Sequence, residues 1–198
     1  MIVFDLETVP DEEMIKTRQW AEYKQKKGIA DDQEAALHPV FGRIVCAFAI
    51  VEKEGWPSIS ICSPNEKELV ENFSFFVLKN FDHCLAGHNI KGFDIPFFCH
   101  KMLKYGLPFP AQFQVTGKKP WEINHIDTVE IMQFGKGPYI SLDQMCLSLG
   151  VESPKEGDVN ALGVWDAFNA GQYEQIKTYC KADVKAWYRC YNKIKGLV

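Results

Sequence analysis

The stretch Ile2-Val3-Phe4-Asp5-Leu6-Glu7 (IVFDLE, residues 2–7) decides the fold. Side chains on a strand alternate between two faces, so Ile2, Phe4 and Leu6 share one face while Val3, Asp5 and Glu7 share the other. A central strand is expected here. Its two carboxylates, at i and i+2, fall near the strand's C-terminal end, which is where ligands bind in open α/β sheets.

Outward from this strand, residues 11–27 (DEEMIKTRQWAEYKQKK) read as a charged surface helix stopped by Gly28, and 28–41 as a loop with His38-Pro39 and no readable purpose. Two β-rich runs, 43–53 and 57–63, predict a hairpin. Ser63, Pro64 and Glu66 form an S-x-x-E start for a helix striped by Leu69, Val70, Phe73, Phe76 and Val77. A short strand over 84–89 leads through Lys91 and Gly92 to a helix over 95–105, ended by Gly106 and Pro108. A last strand is expected over 122–126, and Ser141 with Gln144 caps a short helix ending at Gly150. Residues 151–164 read as irregular, and 172–194 as a strong helix. Early strands in hairpin order, then alternating helix and strand, predict a mixed sheet flanked by helices. One α/β domain over 1–198 is expected, with no repeat and no linker.

The composition agrees. With 198 residues, 46% of them hydrophobic and 24% charged, the chain can bury a sizeable core, which excludes disordered and low-complexity classes. The longest unbroken apolar run is eight residues, 44–51, against roughly 20 needed to span a bilayer. The first residues form no secretory leader, and seven cysteines without a CxxC pair read as reduced thiols of a cytoplasmic protein. A net charge of -4 argues against a protein that coats long stretches of nucleic acid.

The last helix holds a contradiction. At about 100° per residue, Ile176, Cys180, Trp187, Cys190 and Ile194 make one apolar stripe, and Asp183 falls in its middle with Tyr179 one turn earlier. A carboxylate on a core-facing stripe is costly unless paired or bound to a cation. A buried Lys or Arg would serve, and so would a metal. Asp94, between the predicted strand and helix, suits an N-cap as well as a site. Asp5, Glu7, Asp94 and Asp183 gathered at one sheet end would repel one another and hold raised pKa values unless divalent cations neutralise them. Oxygen ligands without His or Cys partners select Mg²⁺ or Mn²⁺ over zinc.

These residues resemble a known family. The set D-x-E (Asp5, Glu7), N-x-x-x-F-D-x-P (Asn89, Phe93, Asp94, Pro96) and Y-x-x-x-D (Tyr179, Asp183), in that order, looks like the three motifs of the DEDDy-type (DnaQ-like) 3′-to-5′ exonucleases. The match is to the proofreading domain of family B DNA polymerases and the stand-alone predicted exonucleases related to it. The resemblance implies a ribonuclease H-like fold and two Mg²⁺ or Mn²⁺ ions that clamp an in-line phosphoryl displacement. It implies that Asp5, Glu7 and Asp183 hold the ion that activates water, that Asp5 bridges to the second with Asp94 assisting, and that Tyr179 orients the water. The expected reaction releases nucleoside 5′-monophosphates from a single-stranded DNA 3′ end. Asn89 would make a polar substrate contact, and Phe93 would stack on a terminal base or pack in the core.

The alternatives are an RNA-trimming exonuclease with the same site, separable by a 2′-hydroxyl contact, and a nucleic-acid-binding domain that has lost catalysis, which four intact carboxylates oppose. A haloacid-dehalogenase-like phosphatase would leave Tyr179 and Asp183 unexplained. Editing in cis is not expected, since no polymerase is fused, and residues 9–41 and 106–121 match no motif. His88 carries no assigned role, and Asp127 reads as the cap of a following helix. Lys91, Lys118, Lys119, Lys177 and Lys181 are candidate phosphate contacts, while Lys24, Lys26 and Lys27 read as a solvated face. Setting the four carboxylates aside leaves 22 acidic against 22 basic residues, so the site accounts for the whole charge excess.

Overall fold

A computed structural model describes residues 1–119, 122–154 and 163–197. Five strands, β1 (Ile2–Pro10), β2 (Gly42–Val51), β3 (Ser58–Cys62), β4 (Leu85–Gly87) and β5 (Ile126–Asp127), form one sheet in the order β3-β2-β1-β4-β5. The helices are α1 (Arg18–Lys27), α2 (Glu66–Lys79), α3 (Asp94–Tyr105), α4 (Thr128–Gln133), α5 (Leu142–Leu149), α6 (Val164–Asn169) and α7 (Tyr173–Ile194). β1 is central: it pairs antiparallel with β2, from Ile2 opposite Val51 to Pro10 opposite Gly42, and parallel with β4 at Ile2 and Val3.

The alternation read from IVFDLE sorts two cores. Ile2, Phe4 and Leu6 pack with Phe73 of α2 and with Phe98 and Met102 of α3, while Val3 packs with Cys180, Val184 and Trp187 of α7 on the other face. Burying each such large apolar side chain is worth about 1.5–3 kcal/mol, so both faces hold β1 rigidly. The β1–β2 ladder shifts register between Glu7 and Thr8, a bulge beside the second carboxylate.

Several boundaries differ from the sequence reading, each for a local reason. The first helix starts at Arg18, because Asp11 Oδ1 accepts from Glu13 and Met14 N–H in a turn of its own and Thr17 caps through Trp20 N–H. The second is capped by Asn65, not Ser63. Ser63 N–H still bonds Val45, its hydroxyl accepts from Asn65 N–H, and Glu66 turns inward to Ile44 N–H and the Tyr105 hydroxyl. β4 is shorter than 84–89, and the last strand is Ile126–Asp127, not 122–126. The loop of 28–41 contains a 3-10 turn, Asp32–Leu37, and α6 falls where no helix was expected. Most of the 151–164 segment, residues 155–162, lies outside the described residues.

The 3-10 turn gives the 28–41 segment a structural role. Trp20 Nε1 and Lys24 Nζ both donate to Asp32 Oδ1 at 2.7 Å, and Trp20 packs with Ala35 and Phe41 in a small separate core. Thr8 Oγ1 donates to the Ala36 carbonyl at 2.8 Å, fixing the turn beside β1. A Cβ at Gly42 would stand 2.7 Å from the Ala35 carbonyl oxygen, so this approach needs glycine.

Candidate active site

β4 leaves the sheet after Gly87, so the β1 edge beyond Val3 loses its neighbour. The departure is tight: a Cβ on Gly87 would meet Phe4 O at 3.0 Å and Ile90 Cγ2 at 2.4 Å. Asp94 fills the gap. It is the first residue of α3, with Phe93 in the cap position, and its Oδ1 accepts from Leu6 N–H at 3.2 Å. Asp94 is thus no N-cap; it reaches across to β1, between the two carboxylates of the D-x-E.

The turn leading into α3 is held by Asp127. Its Oδ1 accepts from Asn89 N–H at 2.8 Å and Val129 N–H at 3.0 Å, and its Oδ2 from Lys91 N–H at 2.9 Å. It caps α4, as the sequence suggested, while bracing Asn89 in a left-handed conformation at φ 61°. His88 is also a structural residue, with its ring nitrogens on Thr128 Oγ1 and the Ile140 carbonyl.

α7 closes the site from the opposite face. Cys180 Sγ lies 3.4 Å from the Asp5 carbonyl oxygen and 3.6 Å from Asp5 Oδ2. Tyr179, 8% exposed, hydrogen-bonds Asp183, and the charges of Asp183, Glu7 and Asp5 all act on it. Burial raises the Asp5 carboxyl well above the usual range, with Asp94 adding to the effect and the Cys180 thiol opposing it. Burial likewise raises Glu7, and then Asp5, Asp183 and Asp94 push it further. Asp94, 3% exposed, is pushed up to about 8 by burial. Burial, then the neighbouring carboxylates, also raises the Tyr179 phenol, which therefore stays protonated.

The structure thus brings Asp5, Glu7, Asp94, Tyr179 and Asp183 into one electrostatic cluster. Ligand atoms of Asp5, Glu7 and Cys180 lie within 4.8 Å of one another; Asp94 and Asp183 stand outside that tighter group. Glu7 is 8% exposed, yet its Oε1 is buried and receives no N–H, and its carboxyl meets that of Asp5. A carboxylate oxygen in that state, among others held above their ordinary pKa, fits a cation site.

Beside Glu7 opens a cleft of about 440 Å³, walled by Phe93, Trp165, Leu37, Gln33, Glu34 and Asp31. Phe93 is half-buried, with its ring centroid 5.5 Å from that of Phe97, so it both packs and faces the cleft. Asn89 is outside the cleft lining; its side chain covers Gly92, where a Cβ would meet Asn89 Oδ1 at 2.5 Å. The sequence reading missed Trp165 and the 32–37 wall. No sequence pattern marked this wall; in the structure Leu37 is an apolar side chain 67% exposed. Of the candidate lysines, Lys91 pairs with Glu130 and Lys177 with Glu174, while Lys181 lies over the Phe48 ring at 5.8 Å.

Residues 37–197 match the family described as a predicted 3′-5′ exonuclease related to the exonuclease domain of PolB. The chain belongs to this family. The PolB-related exonuclease match takes in Asn89, Phe93, Asp94, Tyr179 and Asp183, and begins after the D-x-E of β1. Comparison with curated proteins gave no match. Among solved structures, the family B DNA polymerase from the hyperthermophilic archaeon Pyrobaculum calidifontis aligns at TM-score 0.64 and 17% identity, over 98% of this chain and 24% of the polymerase chain. This family member therefore spans about a quarter of that polymerase. The likeness establishes the fold: a mixed five-stranded sheet flanked by helices, in keeping with the expected ribonuclease H-like arrangement.

Proposed function

We propose that the protein removes nucleotides from the 3′ end of single-stranded DNA, releasing nucleoside 5′-monophosphates, with Asp5, Glu7, Asp94 and Asp183 holding two Mg²⁺ or Mn²⁺ ions. The observation that carries this reading is the buried Oε1 of Glu7, which receives no N–H, among carboxyls that burial and mutual repulsion raise. When bound, the cations supply the positive charge that activates the attacking water and stabilises the leaving oxygen.

The chain's own groups set the geometry. Leu6 N–H fixes Asp94, and the Cys180 thiol fixes Asp5. Tyr179 keeps its proton, so it acts as a hydrogen-bond donor that orients water and not as a base. Phe93 and Trp165 offer the terminal base apolar surface in the cleft beside Glu7. Asn89 then acts through the loop it shapes, with its backbone braced on Asp127.

The test is shortening of 5′-labelled oligonucleotides, DNA and RNA, single- and double-stranded, with Mg²⁺, Mn²⁺ or chelator. Stepwise shortening of single-stranded DNA, lost with chelator and in Asp5→Asn, is expected. Faster cleavage of RNA would replace DNA by RNA as the substrate, and no cleavage of either by folded protein would refute the reading.

A further inference from the structure

Cys180, one residue past Tyr179 on α7, is fully buried and turned back onto β1. Its Sγ, a carboxylate oxygen of Asp5 and one of Glu7 lie within 4.8 Å of one another, the single such trio of metal-binding side chains among the described residues. Within this trio Glu7 Oε1 is nine-tenths buried and receives no N–H, and the Glu7 carboxyl meets that of Asp5, two acids that a shared proton or a cation must reconcile.

The distances select a class of ion. In a tetrahedral zinc site, metal–sulfur and metal–oxygen bonds of about 2.3 and 2.1 Å place the sulfur and oxygen about 3.6 Å apart. Cys180 Sγ stands 3.6 Å from Asp5 Oδ2. An ion bound to both would replace the thiol hydrogen bond at the same sulfur–oxygen spacing. Mg²⁺ gains nothing from a thiol, whereas a thiophilic ion does.

We propose that this centre has a second, inhibitory mode, in which a thiophilic divalent cation of the Zn²⁺ class is held by Cys180, Asp5 and Glu7. The proposal rests on the reading of these carboxylates as a metal site. As the metal–sulfur bond forms, the thiol proton leaves to solvent and no electron is transferred. Asp5 and Glu7 are then denied to Mg²⁺ or Mn²⁺, and the thiol ceases to orient Asp5. Zinc would thus compete with the catalytic ions through a ligand that they do not use.

The test uses Cd²⁺ as the probe, titrated into the metal-free full chain and followed by the ultraviolet cadmium–thiolate charge-transfer band. A saturable band at one equivalent is expected in the wild type. It should be lost in Cys180→Ser, and its affinity should fall by about tenfold or more in Glu7→Gln, which keeps every thiol. Three other thiol contacts need separate variants: Cys146 and Cys190, whose sulfurs are 3.6 Å apart, Cys46, which hydrogen-bonds Cys180, and Cys62, which hydrogen-bonds Cys46. A band that persists in Cys46→Ser, Cys62→Ser and Cys146→Ser supports the assignment. A band that survives Cys180→Ser in protein folded by circular dichroism, or is insensitive to Glu7→Gln, overturns it. Should Cys180→Ser not fold, the Glu7→Gln titration decides alone. Cleavage with Mg²⁺ but no band refutes the thiol mode and spares the nuclease; the band without cleavage does the reverse.

Discussion

Asp94→Asn separates the price of the site from its chemistry. Asp94 is 3% exposed, and its carboxyl is pushed up to about 8 from an ordinary value near 3.8. The fold therefore favours the neutral acid. The stability this contributes is complete below the unfolded pKa near 3.8 and is lost as pH climbs through the folded value near 8. Within that window each pH unit removes up to roughly 1.4 kcal/mol. From about pH 5.5 to about pH 7.5 the metal-free wild type should lose roughly 2–3 kcal/mol through this group alone. An asparagine keeps an oxygen for Leu6 N–H, now accepted at 3.2 Å by Oδ1, and has no charge to lose. In chelator, denaturant unfolding at both pH values should show the variant gaining on the wild type by about 2 kcal/mol as pH rises, with nuclease activity abolished. A stability difference that stays flat with pH, or turns against the variant at the higher pH, would refute the claim that the fold holds the Asp94 carboxyl in its neutral form.

Other outcomes follow from the same geometry. Because Asp5, Glu7 and Asp94 are all raised, protons compete with cations, so the melting-temperature rise given by Mn²⁺ should be larger near pH 8 than near pH 6 by scanning calorimetry. Asp183→Asn should lower the cleavage rate by about a thousandfold or more while raising metal-free stability in a chemical melt. Tyr179→Phe should cost roughly a hundredfold in turnover while the Mn²⁺-induced thermal shift persists. Asp127→Ala orphans the N–H groups of Asn89, Lys91 and Val129, and should destabilise by roughly 2–4 kcal/mol on denaturation, since Asp127 serves as a brace.

What was legible in the sequence was what local pattern encodes. Alternation in IVFDLE placed Asp5 and Glu7 on the α7 side of a central strand, and helical spacing put Tyr179 and Asp183 on one face of α7. Asp94 was found, but its partner was not: its bond to Leu6 N–H exists because β4 stops at Gly87, a fact of sheet pairing that no local spacing carries. Ser63 failed as a cap for the same kind of reason, since its N–H stays bonded to Val45 of the sheet. The cleft wall is the extreme case. Gln33, Glu34 and Leu37 have no periodic pattern, and they face Glu7 because Trp20 and Lys24, on α1, hold Asp32. The Cys180 contact was missed because a cysteine on an apolar stripe looks like any small core residue.

The wall also bears on how a nucleic acid would approach. The exposed Asp31 and Glu34 line the cleft together with the buried Glu7, so an acidic rim borders the apolar surfaces of Phe93 and Trp165. A phosphate backbone is repelled there, whereas a base edge with exocyclic amines can donate to the rim and lay its ring against Phe93 and Trp165. The rest of the surface gives little compensation, since a net charge of -4 is matched by the four carboxylates and Lys91 and Lys177 already have acidic partners. Binding should then depend on a few terminal phosphates near the carboxylate cluster. Two or three single-strand phosphate contacts give a slope of log affinity against log salt of about -1.4 to -2. Measured by fluorescence anisotropy on a labelled oligonucleotide in Ca²⁺ to suppress cleavage, a slope much steeper than that would mean a broad cationic footprint, and the picture of a base-first approach to an acidic cleft would fall.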